Sequence, residues 1–173
     1  MLIRATLFAT QLAIGTVLAD ECKLPAHANH LRFEDFPAQS VTIKRPVNPR
    51  LLSDEAKMYR TRIREGAKES PSFAGNIIVT GWGCGTNCGQ SAFIDAESGH
   101  VWVAPFIETS PFDSQYLFDE IGTYYCLASK LYVIVGSIND SDVEGIYYYR
   151  WTGKNLELLK TVELGRHKRG GQN

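Results

Sequence analysis

Residues 81–89 read Gly-Trp-Gly-Cys-Gly-Thr-Asn-Cys-Gly, directly after the apolar run Ile77-Ile78-Val79. Glycine reaches the positive φ angles that a tight loop requires. It also lets two Cα atoms approach to the ~4.4–6.8 Å that a disulfide spans. A Cys84–Cys88 bridge would close a five-residue ring. In the chain-entropy account such a ring stabilises a fold by only roughly 2 kcal/mol. So small a gain points to the shape of the loop as its use. The stretch therefore reads as a disulfide-shaped loop joining two strands.

Other chemistries fit these cysteines less well. A thioredoxin-type pair has two intervening residues and a helix N-terminus to lower the thiol pKa; here there are three, between strands. Zinc requires two further ligands, which only Cys22, Cys126 or a histidine could supply. A phosphate cradle requires Gly-Lys-Ser/Thr before a helix, and neither is present. A nucleophilic Cys84 or Cys88 requires a nearby base, for which His100 is the one histidine of the β-rich region.

The first nineteen residues read as a secretory signal peptide, with Arg4 as the positive start, an apolar stretch to Leu18 and cleavage after Ala19. The apolar run of about 14 residues is short of the roughly 20 that span a bilayer. Asp20 and Glu21 precede Cys22, where a lipid-attachment site has small uncharged residues. Loss of Arg4 takes the net charge from −1 to −2, which offers nothing to nucleic acid. All four cysteines follow the cleavage site, and an even count in an exported chain favours disulfides. Four cysteines allow three pairings, and sequence does not choose among them. With Cys84 joined to Cys88, a Cys22–Cys126 bridge would tie the N-terminal arm to the sheet and stabilise it by about 4–5 kcal/mol.

Prolines 25, 37, 46 and 49 make residues 20–50 an irregular arm, with one short strand at Val41-Thr42-Ile43. A helix starts at Ser53, carries Asp54 and Glu55 in its first turn and stops at Gly66. Ala56, Tyr59, Ile63 and Ala67 form its core stripe. Lys57, Arg60 and Arg64 form a basic stripe that reads as a solvated face, or as a docking surface for an acidic partner.

Strands are expected over 76–82, 91–95, 100–106, 124–127, 131–136, 146–151 and 156–164. Leu131-Tyr-Val-Ile-Val is apolar on both faces and reads as a central strand. In the last strand Lys160 interrupts the inward set, which marks an edge or a strand end; a helix is the alternative there. The hairpins resemble propeller blades, but about 90 residues of β material are too few to close one. The fold class is α+β, mostly β: an antiparallel meander with one packed helix and an irregular N-terminal arm. Residues 51–165 form a single β-rich domain, and 166–173 a basic flexible tail.

Three further features have ordinary readings. Asp140-Ser141-Asp142-Val143-Glu144-Gly145 resembles the start of a calcium loop, but Trp151 stands where the bidentate Glu is expected. His27 and His30 could join Cys22 on a transition metal, but histidines near a mature terminus usually bind nothing. Neither supports a metal or other cofactor. Trp82, Trp102, Tyr124, Tyr125, Tyr147, Tyr148, Tyr149 and Trp151 divide between core filling and an exposed contact face.

The stretches Phe73-Ala74-Gly75-Asn76, Trp82-Gly83-Cys84-Gly85-Thr86-Asn87-Cys88 and Asp95-Ala96-Glu97-Ser98-Gly99-His100-Val101 carry a resemblance. They are similar to a group of small exported bacterial proteins of uncharacterised activity, which share Trp-Gly-Cys-Gly-Thr-x-Cys followed by a D-x-x-[ST]-G-x-V turn. Arg60-Thr61-Arg62 fits the same pattern. The resemblance covers roughly residues 55–105; it implies export and a shared fold, and assigns no activity.

These features together point to a periplasmic or secreted binding protein, with another envelope or secreted protein, or a ligand, as partner. Trp82, Gly83, Gly85, Thr86, Asn87 and Trp102 would form the contact surface. The competing class is a cysteine-dependent enzyme or redox protein using Cys84, Cys88 and His100, which no acid–base pair or complete metal set strengthens.

Overall fold

The computed structural model describes residues 22–86, 88–109 and 121–166. The leader expected over 1–19, Asn87 and the tail beyond Arg166 lie outside the described residues. Eight antiparallel strands form one sheet: β1 (Ile77–Gly85), β2 (Cys88–Asp95), β3 (Val101–Val103), β4 (Glu108–Thr109), β5 (Gly122–Tyr125), β6 (Leu131–Ile138), β7 (Val143–Trp151) and β8 (Leu156–Arg166). Their order is β1-β2-β4-β6-β7-β8, with β3 on β2 and β5 on β6. This is the mostly β meander with helical cover that the sequence predicts.

The two-residue strand β4 is the hinge of the architecture. Its Glu108 and Thr109 pair with Gly89 and Cys88 of β2 on one side, and with Ile138 and Ser137 of β6 on the other. Beyond β4 the sheet forks. β3 continues along β2, β5 continues along β6, and the two halves fold over one another.

Side chains alternate across a strand, so each half has an inner and an outer face. Ile77, Phe93, Tyr132, Ile134, Tyr147, Tyr149 and Trp151 meet in the inner core between the halves. On the outer face of the β1–β2 half, Ile78, Trp82, Ala92 and Ile94 pack against Ala56, Ile63 and Ala67. On the outer face of the β6–β7 half, Leu131, Val133, Val135, Ile146 and Tyr148 pack against Ala28 and Phe33. Because both faces of both halves are covered, Leu131–Val135 is apolar without alternation.

The expected helix is two. α1 (Asp54–Met58) is capped by Ser53, whose Oγ accepts from the Ala56 N–H at 3.1 Å. α2 (Arg60–Gly66) follows directly. The break is at Tyr59, at φ −95° and ψ 21°, where the ring stacks on Trp82 with centroids 4.4 Å apart. Ala56, Ile63 and Ala67 are buried as the apolar stripe requires. The basic stripe is exposed, with Lys57 paired to Asp54 and Arg60 Nη1 donating to the Lys57 carbonyl.

The arm carries 3-10 turns at Ala26–Ala28 and Phe33–Asp35. The expected strand at Val41-Thr42-Ile43 is absent: the Val41 N–H bonds the Gly75 carbonyl, and Ile43 packs against the helical layer. Buried Ser129 fastens the arm to the sheet, donating to the Phe33 carbonyl at 2.8 Å and accepting from the Leu131 N–H at 3.1 Å. The Asp95–His100 turn fastens it again. Asp95 Oδ1 accepts from the N–H groups of Glu97 and Ser98, and the Gly99 carbonyl accepts from the Arg50 N–H. Gly99, at φ +71°, lies where a Cβ would strike the Asn48 carbonyl. β8 is the edge strand the Lys160 interruption foretells, and a bulge beside Lys160 breaks its alternation.

Candidate functional site

β1 and β2 run through both cysteines before turning. A bulge at Gly83/Gly85 leaves Cys84 as the extra residue, and the next rung pairs Gly85 with Cys88. Cys84 and Cys88 are bonded, with Cα atoms 5.2 Å apart. Cys22 and Cys126 are bonded likewise at 5.3 Å, fastening the arm across 104 residues. Two disulfides point to an oxidising compartment outside the cytoplasm. No helix among the described residues is long and apolar enough to cross a membrane.

Beside the disulfide, Val79, Gly81, Gly83, Cys88 and Gly89 line a hollow of about 460 Å³, and alternation explains it. Ile77, Val79 and Phe93 face the inner core, so Gly81, Gly83, Gly89 and Ser91 continue the same face toward the turn. The register pairs Gly83 with Gly89 and Gly81 with Ser91. Two successive rungs thus place three glycines and a serine where a core would place branched side chains. Among the described residues, a Cβ on Gly89 would meet no atom within 4 Å, and one on Gly83 only the Cys88 carbonyl at 3.8 Å. The hollow is open to solvent, and its size falls in the roughly 300–1,000 Å³ range of small-molecule pockets.

Glu108 on β4 faces this space together with Thr123 and Tyr125 of β5. Its Oε1 accepts from Ser91 Oγ at 2.9 Å and from the Tyr132 hydroxyl at 3.2 Å; the two hydroxyls are 3.3 Å apart. Burial pushes the Glu108 carboxyl above the usual carboxylate range, and the hydrogen bonds from Ser91 and Tyr132 oppose that shift. The neighbouring phenols stay neutral. Burial raises Tyr132 well above the ordinary phenol value, with Glu108 adding to it, and lifts Tyr149 to about 12. Burial raises Tyr125 too, against a hydrogen bond with Ser72.

These shifts have a measurable sign. The carboxyl binds its proton more tightly folded than unfolded. Its favourable contribution is complete below the unfolded value and is lost as pH rises through the folded one. Glu108→Gln therefore raises the melting temperature at pH 7. The gain shrinks to nothing as pH falls to about 4, near the ordinary glutamate value. Thermal melts of both forms at the two pH values check this, and an equal shift at both would assign the effect to packing.

The sequence-predicted contact residues are only partly brought together. Gly83 and Trp82 line the hollow, Gly85 and Thr86 belong to the adjoining turn and are not among its lining residues, and Asn87 is outside the described residues. The Trp82 ring packs on the outer face against Tyr59. Trp102, opposite Phe93 in the register, packs inward against Trp151 with centroids 5.2 Å apart. The two indoles lie on opposite faces of the sheet and cannot share a contact surface. Trp82, the tyrosines of β7 and Trp151 are buried and fill the core, whereas Trp102, Tyr124 and Tyr125 are half-buried and Tyr125 lines the hollow.

His100 is not brought to the cysteines. It follows the Asp95 turn, and Asp95 pairs with Ile77 at the end of the hairpin opposite the Gly85–Cys88 rung. At ~3.3 Å per residue that separates them by about 25 Å. His100 instead packs against Trp102, the rings tilted by 39° with centroids 4.2 Å apart, and both sulfurs of the loop are bonded to each other. Cys22 is likewise held by Cys126 and not offered to His27 or His30. Among the described residues no three His, Cys, Asp or Glu side chains gather as a metal set.

Sequence reasoning missed Glu108, Ser91, Gly89 and Tyr132. The signal that could have found the space is glycine at alternate positions 81 and 83 of a strand, which removes side chains from one face. Nothing local marks Glu108. Comparison with protein-family models, with curated proteins and with solved structures returned no match for this chain.

Proposed function

We propose that this chain is an exported binding protein, acting in the periplasm or after secretion, and that the hollow beside the Gly-Cys turn is its receptor site. One observation carries the reading: two successive rungs of β1 and β2 lack bulky side chains on the inner face, beside a half-buried carboxylate. Gly81 and Gly83 are exposed, so this end of the strand face opens to solvent where larger side chains would have covered it. A ligand gives the missing volume a use. The small disulfide ring fits this role, since it holds the shape of the turn beside the hollow while adding little global stability. The leader that the sequence leads one to expect before Asp20, and the resemblance to the exported group sharing Trp-Gly-Cys-Gly-Thr-x-Cys, accord with it. The enzyme reading through Cys84, Cys88 and His100 has no comparable support, because its groups stand about 25 Å apart.

Filling the hollow tests the proposal. Gly83→Val and Gly89→Val each add carbon into open space and keep the fold, since neither Cβ meets a close atom among the described residues. In an amide NMR screen with a fragment library, hits on the native protein move the Gly81, Gly83 and Gly89 resonances. In either valine variant those hits weaken at least tenfold. Hits that land elsewhere, or persist undiminished in both variants, overturn the assignment.

A further inference from the structure

The charge inventory of the hollow is one-sided. Among the described residues that line it, Glu108 is the one carboxyl group, and there is no lysine, arginine or histidine. The ion pairs among the described residues do not include Glu108. The titratable groups near it are Tyr125, Tyr132 and Tyr149, all raised by burial and neutral at pH 7. Ser91 and Tyr132 both donate to Oε1, and no described residue donates to Oε2. The carboxylate is thus half-satisfied by fixed hydroxyls, with no counter-charge among the described residues. Beside it, Val79 and Tyr125 present carbon to the same space, and the glycines leave room for a short stem. A half-buried charge is costly until paired, and a partner brought by a ligand strengthens both binding and fold.

We propose that the hollow binds small organic cations: a primary ammonium on a short apolar stem, its N–H groups donated to Glu108 and the stem laid against Val79 and Tyr125. This deepens the assignment of the hollow as receptor site and rests on it. Glu108 disfavours anionic ligands, and no described lining residue carries a positive charge to offset it. Neutral ligands would leave the charge unpaired.

The test compares three probes of one shape and different charge: phenethylammonium, 2-phenylethanol and phenylacetate, titrated at pH 7 into the full mature protein with both disulfides formed. Phenethylammonium should move the Gly81, Gly83 and Gly89 amides and bind at least tenfold more tightly than 2-phenylethanol, with phenylacetate weaker still. Glu108→Gln should keep the native spectrum and reduce the ammonium to the affinity of the alcohol. Glu108→Asp, which keeps the charge on a shorter stem, should retain part of the preference. If the alcohol binds as well as the ammonium, or Glu108→Gln leaves the preference intact, the cation proposal fails while the hollow remains a receptor site. If no probe moves these amides although library fragments do, the cation proposal alone fails. If nothing moves them, both readings fail.

Discussion

Replacing Cys22 and Cys126 together by alanine lowers the unfolding free energy by about 4–5 kcal/mol, whereas the same change at Cys84 and Cys88 costs roughly 2 kcal/mol. The difference comes from the unfolded chain. The first bridge joins residues 104 apart in sequence and the second joins residues 4 apart, so they remove very different amounts of chain freedom. The folded state adds to the contrast. Cys126 is 4% exposed and packs in the cluster that holds Ala28 and Phe33 of the arm over β6 and β7. Freeing the arm lets water reach an outer face that carries Leu131, Val133, Val135, Ile146 and Tyr148. Domains of this size are stable by only about 5–15 kcal/mol, so the first variant approaches the limit of folding. Urea titrations of both double variants check the ranking through their midpoints and slopes. Equal losses from the two pairs would show that the arm is held by Ser129 and its apolar contacts, and that the long bridge is dispensable.

The contrast also explains what could be read from the sequence. The Cys84–Cys88 loop and most strands follow from local pattern: β-branched runs of the right length, turn residues at the right offsets, and two close cysteines set among glycines; the Cys22–Cys126 pairing follows only with that loop closed. The Asp95–Gly99 turn was legible because its side-chain acceptor, its glycine and its flanking strands are contiguous. Long-range geometry was not. β4 is two residues long, too short to show any period, yet it joins the halves of the sheet and delivers Glu108 to the hollow. The break at Tyr59 depends on Trp82, 23 residues later, and no local signal announces it. Trp82 and Trp102 look alike in sequence as aromatic residues near turns. They face opposite ways because Trp82 pairs with Gln90 and Trp102 with Phe93, neighbours of opposite parity on β2. The candidate site was therefore half legible: its turn and glycines from spacing, its acid and hydroxyls only from the fold.

Phe73→Ala is expected to cost about 3–5 kcal/mol, the range for deleting a buried aromatic ring. Phe73 is fully buried and meets Phe93, Tyr125, Tyr132 and Trp151, with centroids between 5.7 and 6.1 Å apart. These rings belong to β2, β5, β6 and β7, so one side chain just before β1 joins both halves of the folded sheet. Its backbone is held in place as well, through reciprocal bonds with Ile77. Two of its partners also serve the hollow: Tyr125 lines it, and Tyr132 donates to Glu108. The substitution should therefore loosen the site in molecules that remain folded, and Phe73→Leu should recover most of the stability but less of the binding. Chemical denaturation measures the first effect. The second is read from the affinity of phenethylammonium, compared between the leucine variant and the native protein at a temperature where both are fully folded. A leucine variant with native affinity would show that Phe73 only stabilises the inner core. A weakened one would show that the aromatic cluster also sets where Glu108 meets its ligand, which places the binding geometry in the packing between the halves and not in the Gly-Cys turn alone.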